Sequence, residues 1–171
     1  IIVRPLASGR YEIIAGERRY RASKLAGKKT VPAIVREVDD KSALAMALIE
    51  NMQREDLNAV EEAAGVSRLI EEFGYTHEQA AEAIGRSRSA TTNLLRLLNL
   101  TEAVKQMLAD GKIDMGHARA LLALSGAEQI QLANEIVAKD LSVRETERLI
   151  ARMTDKGNEK KAKDGKKEQV Q

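Results

Sequence analysis

Residues 14–22 read Ile14-Ala15-Gly16-Glu17-Arg18-Arg19-Tyr20-Arg21-Ala22, and their reading decides how the first third of the chain folds. An alternating apolar run ends at Ala15, a glycine follows, and three arginines arrive within four residues at the start of a helix. Gly16 supplies a backbone shape or a closeness of approach that a side chain forbids. Unpaired amides at a helix N-terminus favour an anion, and the arginine fork suits phosphate oxygens. Arginines in a first helical turn also oppose the helix dipole, so something negative belongs there. Local chemistry leaves a second reading open, a solvated basic face answered by Glu12, Glu17 and the acidic middle of the chain.

Upstream, Ile1-Ile2-Val3-Arg4 and Tyr11–Ala15 read as two strands joined by a turn at Ala7-Ser8-Gly9-Arg10. Downstream, a helix over 17–26 stops at Gly27, and 31–38 reads as a strand with Pro32 near its start. Asp39 and Asp40 open a helix over 42–53 that leads into Glu50-Asn51-Met52-Gln53-Arg54-Glu55-Asp56-Leu57-Asn58. The first part is therefore a small α/β unit. From Asn58 the pattern is helical throughout, with capping boxes at Asn58/Glu61, Thr76/Gln79 and Ser142/Glu145 and helix stops at Gly74 and Gly111.

Composition narrows the chemistry. With 171 residues and only 2% aromatics, any core must be aliphatic. The chain contains no cysteine, which excludes disulfides, thiolate metal sites and a cysteine nucleophile. Two separated histidines, His77 and His117, make no metal site. No stretch reads as a signal peptide or membrane span, so a cytoplasmic location without membrane association is expected. The net charge of +2 conceals a strong division. Residues 1–40 hold nine Lys/Arg against five Asp/Glu, 41–82 hold three against nine, and 83–101 hold three arginines and no acid.

That acid-free window belongs to a stretch, 76–98, with the spacing of a helix-turn-helix. Ala80 and Ala81 permit close packing, Gly85 makes the turn, and Leu94, Leu95, Leu97 and Leu98 form an apolar face. A recognition helix reads bases from its N-terminal part, which selects Arg88, Ser89 and Thr92. Arg86 and Arg96 suit phosphates, and Ser87 and Asn93 complete the polar face. Thr91 has the β-branched shape to pack, though its hydroxyl would then need a partner, and its role does not follow from the spacing. In Met115-Gly116-His117-Ala118-Arg119, Gly116 permits close approach. Arg119 is a backbone-contact candidate, and for His117 packing and DNA contact both stay open.

Together these stretches resemble the ParB family of DNA-segregation proteins. The family's phosphate-side motifs follow GERRxRA and ENxQRxxL, and the chain reads GERRYRA from Gly16 and ENMQREDL from Glu50. Order, separation and the following helix-turn-helix also agree, over roughly residues 1–153. The resemblance implies an α+β fold, with a partial nucleotide-binding domain over 1–57 and a helical DNA-binding domain over 58–153. The Lys-rich segment 154–171 is expected to be a disordered linker. Opening on a strand suggests a fragment, and the resemblance implies that it lacks the family's N-terminal segment and C-terminal dimerisation domain.

For the site, the resemblance implies Gly16, Glu17, Arg18 and Arg19 lining a CTP triphosphate, with Arg21 and Ala22 supporting them. Glu50 and Asn51 would face phosphate and Mg²⁺, with Arg54 and Glu55 along the lower edge, and Glu50 would be the hydrolytic residue of a slow CTPase switch. Implied partners are a palindromic parS-like duplex, a second copy engaged on DNA or nucleotide, and a ParA-type ATPase in the full-length protein, on the nucleoid. A nucleoid-occlusion relative or a helix-turn-helix regulator without nucleotide switching would share many of these features.

Overall fold

The computed structural model describes residues 1–54 and 57–164, the last ten as backbone alone. Three strands, β1 (Ile2–Pro5), β2 (Tyr11–Ala15) and β3 (Ile34–Val35), form one sheet in the order β2-β1-β3. β1 and β2 are an antiparallel hairpin with Val3 opposite Ile13 and Arg4 opposite Glu12, and β1 runs parallel to β3. The hairpin closes through Gly9 at φ 75°, and Arg4 bridges Glu12 across the strands and Asp40 at 2.6 Å. The α+β architecture expected from the sequence is the one observed.

Nine α-helices are present among the described residues: α1 (Glu17–Leu25), α2 (Asp40–Met52), α3 (Ala59–Glu71), α4 (His77–Ala83), α5 (Arg88–Arg96), α6 (Glu102–Ala109), α7 (Met115–Leu121), α8 (Gly126–Lys139) and α9 (Val143–Asp164). Their starts follow local chemistry. Asp39 accepts the Ser42 amide at 2.7 Å ahead of α2, and Asn58 accepts the amides of Val60 and Glu61 ahead of α3. Thr76 and Gln79 exchange bonds reciprocally at α4, as do Ser142 and Glu145 at α9. Each such cap satisfies amides that the helix itself leaves unpaired.

The chain divides into two compact units that interleave in sequence, where a linear reading divides it at 57/58. One comprises Ile1–Leu57 with Ala64–Thr91, the other Asn58–Ala63 with Thr92 onward. In the first, Val3, Ile14, Ala15, Ala43, Ala45, Met52, Val66, Leu69, Ala80 and Ala81 are buried. In the second, Leu97, Val104, Ile113, Leu121, Leu132, Ala133, Ile136 and Ile150 are buried. Both sets are aliphatic, as the scarcity of aromatics requires. Gln129, also buried, accepts the Thr101 amide at 3.0 Å and donates to the Leu124 carbonyl at 3.1 Å, so both ends of its amide are satisfied.

Two expectations need correction. The strand expected over 31–38 reduces to Ile34–Val35, both exposed; Pro32 has no amide to donate to a longer ladder. The Lys-rich segment expected to be a disordered linker is helical to Asp164, as α9 continues past Met153. Its composition forbids a buried core but not a helix. Lys, Glu and Ala are good helix formers, and a helix already nucleated at its anchored end propagates easily. Residues 165–171 lie outside the described region.

Gly116 lies where α7 meets α9. A Cβ there would sit 2.7 Å from Val143 Cγ2 and 3.0 Å from Cγ1, on a side chain that is stiff at χ1. Gly116→Ala is expected to cost about 1–3 kcal/mol by overpacking, read as a drop in melting temperature. The double change with Val143→Ala should recover most of that loss. An unchanged melting temperature in the single variant would show that the crossing yields freely.

Candidate nucleotide cleft and DNA-reading helix

The first site grows from the single residue between β2 and α1. Ala15 ends the strand, buried, and Gly16 at φ 95° turns the chain directly into the helix without a side-chain cap. In α1 the first intrahelical bond runs from the Tyr20 amide to the Gly16 carbonyl at 3.0 Å. The amides of the first turn therefore have no partner within the helix. A Cβ on Gly16 would lie 3.2 Å from both Arg19 Nη2 and Ile1 Cα, so the glycine also admits the arginine fork.

The opposite wall comes from the end of α2. Glu50, Asn51 and Arg54 join Ile13, Ile14, Ala15, Gly16, Glu17, Arg18 and Arg19 around one cleft of about 470 Å³. Two motifs more than thirty residues apart in sequence thus line the same space. Its lining residues include three arginines, Arg18, Arg19 and Arg54, and two glutamates, Glu17 and Glu50. Seven of the ten expected nucleotide-site residues line it. Arg21 and Ala22 stand outside the lining. Arg21 donates to Glu17 Oε1 at 2.8 Å one turn back, steadying a cleft residue. Glu55 lies outside the described residues. Ile13, Ile14 and Ala15 were not anticipated as lining. Their signal is positional, because the strand that delivers the glycine necessarily floors the cleft.

The second site lies on α4 and α5. Gly85 at φ 69° makes the turn between them, and Ser87 caps α5 by accepting the Ala90 amide at 3.2 Å. Arg86, Ser87, Arg88, Ser89, Thr92 and Arg96 are exposed and Asn93 is half-buried, while Leu94 and Leu97 are buried. The polar face of the expected reading helix is thus presented to solvent. Ser87 is first of all a cap, bonded also to Ser89 Oγ at 3.1 Å. Thr91 is fully buried, and its hydroxyl finds its partner locally, donating to the Ser87 carbonyl at 3.1 Å.

For His117, where packing and DNA contact stood open, the contacts observed are those of packing. The residue is 7% exposed, and its Nδ1 accepts the Asp114 amide at 3.1 Å. That acceptance places the ring proton on Nε2, which donates to the Leu141 carbonyl at 2.9 Å. Both ring nitrogens are used inside the protein, so the residue fastens α7 to the approach to α9 and offers no nitrogen to a phosphate. Arg119, two residues on, is exposed.

Comparison with known proteins finds matches for both parts of the chain. Residues 1–52 match the model of the ParB N-terminal domain, and 55–155 match that of the ParB HTH domain. The chain belongs to the ParB family. The probable chromosome-partitioning protein ParB of Coxiella burnetii is 57% identical over 157 residues, 92% of this chain and 54% of that one. Its counterpart from Vibrio cholerae is 56% identical over 150 residues, 88% and 51% of the two chains. The chain therefore spans about half the length of these ParB relatives. In three dimensions it is similar to the C-terminally truncated ParB of Caulobacter crescentus complexed to the centromeric parS site, with a TM-score of 0.81 and 47% identity over 89% of this chain and 81% of that one. A ParB DNA-binding domain in complex with a parS site also matches, at a TM-score of 0.56 and 44% identity over 64% of this chain and 89% of that one.

At the cleft, Gly16→Ala places a side chain in the left-handed region, which costs about 1–2 kcal/mol, and pushes Arg19 aside. Thermal unfolding and titration with inorganic triphosphate should both register it. Full triphosphate affinity in this variant would show that Arg19 and the first-turn amides are not the anion's partners.

Proposed function

We propose that this chain is the nucleotide- and DNA-binding part of a chromosome-partitioning protein: it recognises a parS-like duplex through α5 and uses CTP in the cleft as a switch. The observation that carries the reading is the convergence of residues 16–19 with Glu50, Asn51 and Arg54 on one cleft, in a chain whose relatives are ParB proteins. A helix N-terminus with free amides and converging arginines is a phosphate cradle, and phosphoryl chemistry asks mainly for positioning and charge.

Mg²⁺ fits the residues present. Among the described residues no group of three or more His, Cys, Asp or Glu could hold a metal. Mg²⁺ needs no such cage, because it keeps several waters and takes one or two protein oxygens with phosphate oxygens. Glu50 and Asn51 would supply those oxygens, and the ion would neutralise charge on the phosphates. Glu50 can also orient water beside the terminal phosphate, which is the role of a hydrolytic carboxylate. Arg18, Arg19 and Arg54 bind and orient the chain of phosphates.

On the DNA side, Arg88, Ser89 and Thr92 read base edges, while Arg86, Arg96 and Arg119 contact the backbone. A palindromic site calls for two copies, so self-association on DNA or nucleotide belongs to this reading. Engagement of a ParA-type ATPase and location on the nucleoid belong to it for the longer protein. No helix among the described residues is long and apolar enough to cross a membrane.

The test is equilibrium binding of CTP–Mg²⁺ and of parS-bearing duplex. The wild-type chain is expected to bind both; duplex binding with no nucleotide binding would leave a helix-turn-helix regulator without a switch. Arg19→Ala should weaken nucleotide binding by about 1.5–3 kcal/mol, the value of a charge-assisted hydrogen bond. Glu50→Gln should bind nucleotide and release phosphate slowly, and wild-type release would remove Glu50 from the chemistry. Arg88→Ala should lose about 1–3 kcal/mol on the specific duplex alone. Arg96→Ala should weaken all duplexes alike and lower the salt slope by about one unit. An unchanged ratio of specific to non-specific binding in Arg88→Ala would reassign the reading helix.

A further inference from the structure

The five residues from Glu50 to Arg54 are divided among three neighbours. Glu50, Asn51 and Arg54 line the cleft. Met52 is buried and lies over Gly65 of α3, where a Cβ would come within 2.6 Å of Sδ. Gln53, the C-cap of α2, turns toward α4 and donates from Nε2 to the Ala83 carbonyl at 3.2 Å. All of these residues belong to one compact unit.

The acceptor is well chosen. At the end of α4 the carbonyls of Ala80, Ala81 and Glu82 accept the amides of Ile84, Arg86 and Gly85. The last helical carbonyl, that of Ala83, is the one Gln53 reaches. Immediately beyond it lie Gly85 and Ser87, the turn that sets where α5 begins and hence where Arg88 stands. A bond of 3.2 Å is at the long end of the useful range, so a displacement of α2's end by a few tenths of an ångström weakens or strengthens it substantially.

Building on the nucleotide and DNA reading above, we propose that Gln53 is a positioning residue that couples the two sites. Occupation of the cleft moves or fixes Glu50, Asn51 and Arg54, the Met52–Gly65 contact holds the segment on α3, and Gln53 transmits the change to the α4–α5 turn. Because coupling free energies are reciprocal, DNA on α5 acts on the cleft through the same bond.

The test is a thermodynamic cycle on the full chain. The affinity of a hydrolysis-resistant CTP analogue with Mg²⁺ is measured with and without parS duplex, and that of the duplex with and without the analogue, for wild type, Gln53→Glu and Gln53→Lys. Glutamate keeps the length but offers no donor to Ala83, whereas lysine keeps a donor. Gln53→Glu should bring the coupling factor roughly two- to tenfold closer to one, the range for a single hydrogen bond, with each ligand's affinity alone unchanged. Gln53→Lys should retain the wild-type factor. A wild-type factor of one, or an unchanged factor in Gln53→Glu, would overturn the inference while leaving the nucleotide reading intact. Loss of nucleotide affinity without duplex would make Gln53 part of the cleft instead of a link. Absence of nucleotide binding in the wild type would overturn the nucleotide reading, and the link with it.

Discussion

The candidate site depends on a single backbone constraint: one residue must end a strand and begin a helix. Gly16 meets it at φ 95°, a conformation that a side chain disfavours. Because no longer loop intervenes, Arg18 and Arg19 come to line the same cleft as Ile13–Ala15. α1 itself contains no buried residue.

The rest of the molecule uses small residues to bring helices close in a core almost without aromatic rings. Gly65 accepts Met52, Gly116 accepts Val143, and Ala80, Ala81, Ala118 and Ala133 are buried nearly completely. Close approach increases the dispersion contacts available to aliphatic side chains, and it makes the packing sensitive to a single added methyl group. Met52 shows how this serves a site. The residue beside Asn51 is anchored by packing, so the polar residues around it are presented from a fixed turn.

Much of this was legible in the sequence, because it rests on local chemistry. β2, the Thr76–Gln79 box and the glycine turns follow from residue type and spacing within a few positions. The cleft was legible in part, since two short motifs named seven of its lining residues. What was hidden is non-local or concerns competition between roles. His117 could serve packing or DNA equally well until the Leu141 carbonyl was found on its second nitrogen. Gln53 sits inside a motif whose neighbours face the cleft, and only the position of α4 shows that its amide points elsewhere. The length of α9 is not legible in the composition, which reports burial and not helicity. The strand at Ile34–Val35 was overextended because apolar runs do not report how much partner strand is available.

The central claim is that residues 16–19 form one ligand site with Glu50, Asn51 and Arg54. Amide hydrogen exchange with and without CTP–Mg²⁺ tests it directly, since the first-turn amides of α1 have no partner in the helix and should exchange quickly until a phosphate accepts them. The account predicts that CTP–Mg²⁺ slows exchange at Glu17–Arg19 and at the end of α2 together, over the same range of concentration. Protection of neither segment, or of one without the other, would contradict it.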